Sequence, residues 1–191
     1  MGIVGTSLPL TIPPTVANWT WVNQEAATAV ETNGGIALTA PIQTGDDWRL
    51  LVRAAPSTPY TITAGILSNL MPVDYAGLGI GWRQSSDGKM VSYEVNGANQ
   101  YASVIKFNSE TSWNGTYVDR PLKAGRNLFW LRITDDGTDR KCWISVDKCT
   151  WLELHSVGRT DFLTADQVWF GVQSNNGTYP ISGTLISWEE A

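Results

Sequence analysis

The sequence predicts an all-β protein of roughly a dozen strands, folded as a two-sheet antiparallel sandwich or a closed barrel. Three observations carry that prediction. From Trp19 onward apolar and polar residues alternate with a period of two, the pattern of strands buried on one face. Turn words punctuate the alternation: Asn33-Gly34-Gly35, Ser86-Asp87-Gly88, Asn96-Gly97, Asn114-Gly115, Asp135-Asp136-Gly137 and Asn176-Gly177, as hairpins require. The helical period never persists; at most Thr164-Ala165-Asp166-Gln167 makes one turn, with Thr164 as its cap. No internal repeat is visible, which argues against a propeller or a solenoid.

In chain order, residues 1–16 read as an extended arm. Pro9, Pro13 and Pro14 stand among Leu8, Leu10 and Ile12, which favours extended chain over helix. With Ile3 and Val4 they make an apolar segment that is covered either by its own domain or by a neighbouring subunit. Residues 17–191 form the domain. In Trp48-Arg49-Leu50-Leu51-Val52-Arg53, Trp48, Leu50 and Val52 share one face and both arginines the other. Ile62, Ala64 and Ile66 fall together, as do Val91, Tyr93 and Val95 against Ser92, Glu94 and Asn96. Tyr101, Ser103, Ile105 and Phe107 oppose Ala102, Val104 and Lys106; Phe129, Leu131 and Ile133 oppose Trp130 and Arg132; Val168, Phe170 and Val172 follow the same rule. One strand is unusual. Gly77-Leu78-Gly79-Ile80-Gly81-Trp82 carries three glycines on one face, so something approaches that face closely. Either a large side chain lies flat across it, the commoner cause, or it floors a ligand groove.

Composition narrows the function classes. Eighteen acidic against thirteen basic side chains give a net charge of −5, and no Lys/Arg cluster argues for nucleic acid or an anionic membrane as partner. No stretch approaches the roughly 20 apolar residues of a membrane span, and residues 1–15 lack the pattern of a signal peptide. A single histidine and two cysteines cannot build a multi-His or thiolate metal site. Cys142 and Cys149 flank a tight turn at Asp147-Lys148 in a register that separates them, so two free thiols are expected. Ten tryptophans stand out as the commonest aromatic.

Several strand-edge words together resemble the concanavalin A-like lectin/glucanase superfamily. They are Trp19-Thr20-Trp21-Val22-Asn23-Gln24, Ile36-Ala37-Leu38-Thr39-Ala40-Pro41, Arg49-Leu50-Leu51-Val52-Arg53 running to Pro59-Tyr60-Thr61-Ile62, and Gly77-Leu78-Gly79-Ile80-Gly81-Trp82-Arg83. Leu131-Arg132-Ile133-Thr134-Asp135-Asp136-Gly137 and Ser145-Val146-Asp147-Lys148-Cys149-Thr150-Trp151 complete the set. The resemblance spans about residues 17–190 and implies a jelly roll of two curved antiparallel sheets. It is nearest to the versions found in tailed-phage virion proteins such as tail fibres, adaptors and capsid-decorating proteins. It therefore implies a non-enzymatic structural protein of a virion (a fibre, a tail or neck component, or a head-decorating protein) that assembles through its arm and an aromatic surface, with other virion proteins or further copies of itself as partners, or alternatively a module that binds a host surface glycan. Lys148 departs from the pattern by standing where the group's hairpin word has glycine, a position that favours positive φ.

Catalysis is not expected. The superfamily's glucanases place two glutamates on one strand face, about 5 Å apart for retaining chemistry, and no two of Glu25, Glu31, Glu94, Glu110, Glu153, Glu189 and Glu190 stand in that relation. Carboxylates distant in sequence can still meet across strands. His155 has no nucleophile word beside it and reads as a lone surface histidine. Asp135, Asp136 and Asp139, like Asp46 and Asp47, offer oxygen ligands for calcium, but Asp-Asp-Gly also satisfies a turn's own backbone, and no metal or cofactor is expected. Five residues are candidates for contact with a neighbouring subunit or a sugar. Trp113 and Tyr117 lie in a polar stretch, as loop anchors or exposed platforms. Trp130, Arg132 and Trp143 alternate with apolar neighbours and so face away from the core.

Overall fold

A computed structural model of the chain describes residues 13–68, 75–97, 101–121, 128–175 and 179–191. Fourteen strands run through them: β1 (Thr20–Val22), β2 (Thr28–Thr32), β3 (Gly35–Ala40), β4 (Arg49–Ala54), β5 (Tyr60–Ser68), β6 (Ala76–Arg83) and β7 (Met90–Asn96), then β8 (Tyr101–Ser109), β9 (Ser112–Pro121), β10 (Leu128–Asp135), β11 (Asp139–Ser145), β12 (Leu152–Gly158), β13 (Gln167–Ser174) and β14 (Ile181–Glu190). They form two seven-stranded sheets, ordered β1-β4-β13-β6-β7-β8-β9 and β12-β11-β10-β5-β14-β3-β2. Every strand pair is antiparallel. The fold is a jelly-roll sandwich, as the strand pattern and the resemblance imply.

Between the sheets lies one continuous core. The first sheet contributes Leu51, Leu78, Ile80, Trp82, Val91, Tyr93, Val95, Val104 and Phe170; the second contributes Ile36, Leu38, Ile62, Ile66, Phe129, Leu131, Ile133 and Leu185. These are alternate residues of their strands, so burial of one face is the direct consequence of the period-two pattern. Trp82 is buried here with its indole N–H donated to the Tyr60 hydroxyl at 3.0 Å. In β14 a bulge between Leu185 and Ser187 shifts the register and sets Trp188 against Trp19, ring centroids 4.8 Å apart and nearly perpendicular.

A second apolar cluster occupies the opposite, outer face of the first sheet: Trp48, Leu50, Val52, Met90, Phe107 and Trp169, flanked by Val22 and Ile105. It bears on two of the three glycines of β6. A methyl group at Gly81 would stand 2.7 Å from the Trp169 ring, and one at Gly77 would meet Trp48 at 3.2 Å and the Glu94 carboxyl at 3.0 Å. Large side chains thus cover the strip at Gly77 and Gly81, whereas at Gly79 a methyl group would meet the β7 backbone at Tyr93 and Glu94. Burying such a ring removes about 150–250 Å² from water, worth roughly 4–6 kcal/mol before ordering costs. That outweighs the penalty of about 1–3 kcal/mol for the Trp48 indole N–H, which has no partner.

Two expectations change. Strand β4 is buried on both faces: Leu51 lies in the main core on the arginine side, and Arg49 is only 1 % exposed. Arg49 survives there because Asp47 takes both its terminal nitrogens at 2.7 and 2.6 Å while Glu25 adds a third contact. Thr164 caps no helical turn; its N–H goes to the Gln84 side chain, and among the described residues the one helical turn is the 3₁₀ turn Val16–Asn18. Lys148 does adopt φ 64°, held because Asp147 accepts the Cys149 and Thr150 N–H groups and Lys148 Nζ reaches Glu189 at 2.6 Å. Cys142 pairs with His155, and a bulge follows it. Cys142 and Cys149 are free thiols, one buried and one exposed.

Of the arm, Ile3, Val4, Leu8, Leu10 and Ile12 lie outside the described residues. Pro13 is exposed and Pro14 half-buried in irregular chain. Val16 packs against the main core and donates its N–H to Glu31 at 2.7 Å, so the end of the arm lies on its own domain.

The packing over β6 predicts that Gly81→Ala costs about 1–3 kcal/mol, because Trp169 and the Val91 backbone have no room to retreat. Gly158→Ala, with open space around it, stays within about 0.5 kcal/mol. Urea denaturation of both variants measures the difference.

Candidate functional site

Beside the outer-face cluster the first sheet opens into a pocket of about 600 Å³, within the usual range for small ligands. Strand register builds its floor. Gly171, Gly79, Glu94, Ser103 and Asp119 lie in one row across β13, β6, β7, β8 and β9. Gln173, Gly77 and Asn96 form the next row. On the other side Ser92, Ile105 and Thr116 form a third. The polar members of β7 and β8 that oppose Tyr93, Val95 and Val104 therefore converge on one surface. Glu94 and Asp119 stand two strands apart, about 10 Å between backbones at the spacing of a sheet.

Loops supply the walls. Gly45 and Asp46 come from the segment before β4, which is tied down at several points. Gln43 accepts the Ser174 N–H at 3.0 Å and donates to Asp47 at 3.2 Å. Asn175 donates to Asp46 at 2.9 Å. Opposite, the β8–β9 hairpin is held by the Trp48 N–H on the Glu110 carbonyl and by Arg83 on the Glu110 carboxylate at 2.6 Å. That places Trp113 at the pocket wall with 54 % of its surface exposed. Tyr75 and Tyr101 complete the aromatic lining.

Two buried acceptors face this space without donors. Glu94 is wholly buried; Ser92 donates to its Oε2 at 2.8 Å, and Oε1 has no partner. Gln173 is 3 % exposed, and its Oε1 has none either. Burial pushes the Glu94 carboxyl up to about 8, with Asp119 and Asp46 adding to the rise and Ser92 opposing it. Burial also raises Asp46, against hydrogen bonds from the Trp113 backbone and Asn175.

The five residues singled out from sequence do not form one site. Trp113 lines the pocket, and it stands on strand β9 as an exposed platform rather than in a loop as an anchor. Tyr117, on the same strand beyond a register shift, points elsewhere: its ring stacks on His155 at 4.7 Å and its hydroxyl donates to Asp161. His155 is accordingly half-buried, and burial lowers its pKa. Trp130, Arg132 and Trp143 lie together on the outer face of the second sheet, with Arg132 directly opposite Trp143. There the Trp130 ring lies over Gly65, Lys148 stands 4.7 Å from its centroid, and Arg132 lies 3.7 Å over Trp151. Asp135 is consumed by Arg140 and Arg159, and Asp136 by the turn N–H groups of Thr138 and Asp139. Among the described residues no group of three or more His, Cys, Asp or Glu side chains is gathered closely enough to hold a metal ion.

No protein-family model matches the sequence. No curated protein matches it either. Solved structures do share the fold. A functionally unknown protein from Saccharomyces cerevisiae superposes with a TM-score of 0.65 at 17 % identity, over 92 % of this chain and 97 % of that one. The carbohydrate-binding module CBM66 from Bacillus subtilis gives 0.62 at 12 % identity, over 93 % and 97 %. The exoplasmic/lumenal domain of VIP36, in a form bound to Ca²⁺ and mannose, gives 0.60 at 10 % identity, over 91 % and 82 %. The architecture is that of the concanavalin A-like jelly rolls, and at these identities the likeness is one of fold.

The burial of Glu94 has a consequence for stability. The folded protein keeps its proton to about pH 8, whereas the unfolded chain releases it near the ordinary 4.5. Between those values the folded state binds the extra proton, so this residue's contribution to stability falls as pH rises through the window. Glu94→Gln is expected to flatten that fall and to stabilise the protein at pH 9 by on the order of 2 kcal/mol. Thermal melting of both forms at pH 5, 7 and 9 checks it.

Proposed function

We propose that the protein is a non-enzymatic glycan-binding module that takes a carbohydrate into the outer-face pocket of the first sheet. One observation carries the reading: a half-exposed tryptophan, Trp113, stands beside the unpartnered buried acceptors of Glu94 and Gln173. An indole face packs against sugar C–H groups, and acceptors without donors match sugar hydroxyls. Asn96, Ser103, Thr116 and Asn175 surround them with further polar groups. The likeness to a carbohydrate-binding module and to a mannose-bound lumenal domain supports the same use of this fold. The structural role in a tailed-phage particle, expected from sequence resemblance, draws no support from these likenesses, and most of the arm on which it relied lies outside the described residues.

A glycan array followed by calorimetry on the best ligand tests the proposal. Trp113→Ala is expected to weaken binding about tenfold or more, roughly 1.4 kcal/mol, without changing the melting temperature. Absence of binding to every glycan, or unchanged affinity in the variant, would falsify it. Reducing-sugar release that disappears in Glu94→Gln would overturn the non-enzymatic part alone.

A further inference from the structure

We propose that the pocket selects a positively charged glycan, an amino sugar whose nitrogen carries no acetyl group, over its neutral and acidic counterparts. The inference rests on the glycan-binding reading and adds the chemistry of the ligand. Asp46, Glu94 and Asp119 all line the pocket, and no lysine, arginine or histidine is among its described lining residues. Other acids are neutralised by a neighbouring cation, as Asp47 is by Arg49 and Glu110 by Arg83; among the described residues Asp46, Glu94 and Asp119 make no such pair.

The charges that face Glu94 are of one sign. From β9 comes Asp119 and from the segment before β4 comes Asp46. Strand β6 offers only Gly77 and Gly79, β8 offers Ser103 and Tyr101, and β13 offers Gln173. A carboxylate or sulfate on a ligand would meet uncompensated repulsion in a partly desolvated space. A neutral sugar could donate to Glu94 and Gln173 but would leave the acidic side chains without a counter-charge.

An ammonium group answers both needs. It carries three donors and no acceptor, which suits the unpartnered Oε1 of Gln173 and, once the ligand's charge has displaced the proton that Glu94 holds in the empty pocket, the Oε1 of Glu94 as well. It also brings the missing positive charge, and the aromatic faces of Tyr75, Tyr101 and Trp113 at the wall favour a cation as well. A metal ion fits less well, because the carboxyl groups are not gathered closely enough to share one. The charge must therefore be spread over a ligand large enough to span the pocket.

Calorimetry at pH 7 can decide, using glucosamine and galactosamine oligomers, each paired with its N-acetylated form, and a uronic-acid oligomer as the acidic control. The free-amine form is expected to bind at least tenfold tighter than its acetylated partner, with an affinity that falls as salt is raised. Asp119→Asn, on an exposed side chain, should remove most of that preference while the fold, followed by melting temperature, is kept; Glu94→Gln provides a second variant. Equal or tighter binding of the acetylated or acidic oligomers would overturn the proposal and leave a neutral-glycan module standing. So would saturation of the pocket by calcium chloride alone. Failure of every glycan to bind would sink both readings together.

Discussion

The close approach of large side chains to the bare outer face of β6 is the constraint on which the first sheet depends. On its inner face the strand presents Leu78, Ile80 and Trp82 to the core. On its outer face Gly77 and Gly81 let Trp48, Trp169 and the Glu94 carboxyl come down onto the backbone, while Gly79 leaves room for the backbone of β7. Without that proximity the second apolar cluster would stand off the sheet, and Glu94 would be a solvated side chain on a polar face. The same packing thus supplies stability and creates a buried acid at the pocket floor. Fold and site are coupled through one strand.

Much of the architecture was legible as alternation. The inward residues of β5, β7, β8, β10 and β13 follow from period two, because each strand has one face on the shared core. Strand β4 shows where that logic stops. Trp48, Leu50 and Val52 were rightly grouped, but a second cluster buries them on the outer face, while the opposite face carries Leu51 into the main core beside Arg49. Periodicity marks which residues travel together and not which side of a sheet they reach. Burial of Arg49 is not visible in the strand pattern because its neutralising partners, Asp47 and Glu25, are contributed by loop geometry.

The pocket was harder to foresee for a related reason. Glu94, Ser103 and Asp119 come from three strands, and only register aligns them. The available signal was the polar run Ser92, Glu94 and Asn96 beside a glycine strip, which together mark a sheet face approached closely yet left polar. Trp113 and Tyr117, adjacent in a polar stretch, were separated by register shifts in β9 that send one ring to the pocket and the other to His155. Trp130 and Arg132 alternate with Phe129, Leu131 and Ile133 of the core, and Trp143 with Cys142 and Ile144, which puts all three on the outer face of the second sheet. The two aromatic surfaces end on opposite outer faces, so no single ligand spans them.

The sheet margins bear on a different property, resistance to aggregation. Two open seven-stranded sheets have four edges, and an unpaired edge invites another chain to extend the sheet. Here β1 is only three residues long. Strand β9 is interrupted by three register shifts and ends in Asp119, Arg120 and Pro121. Strand β12 faces a bulge and carries Glu153, and β2 places the exposed Glu31 in its ladder. Each margin is short, irregular or charged, which disfavours backbone docking and leaves side-chain faces as the means by which this molecule meets others.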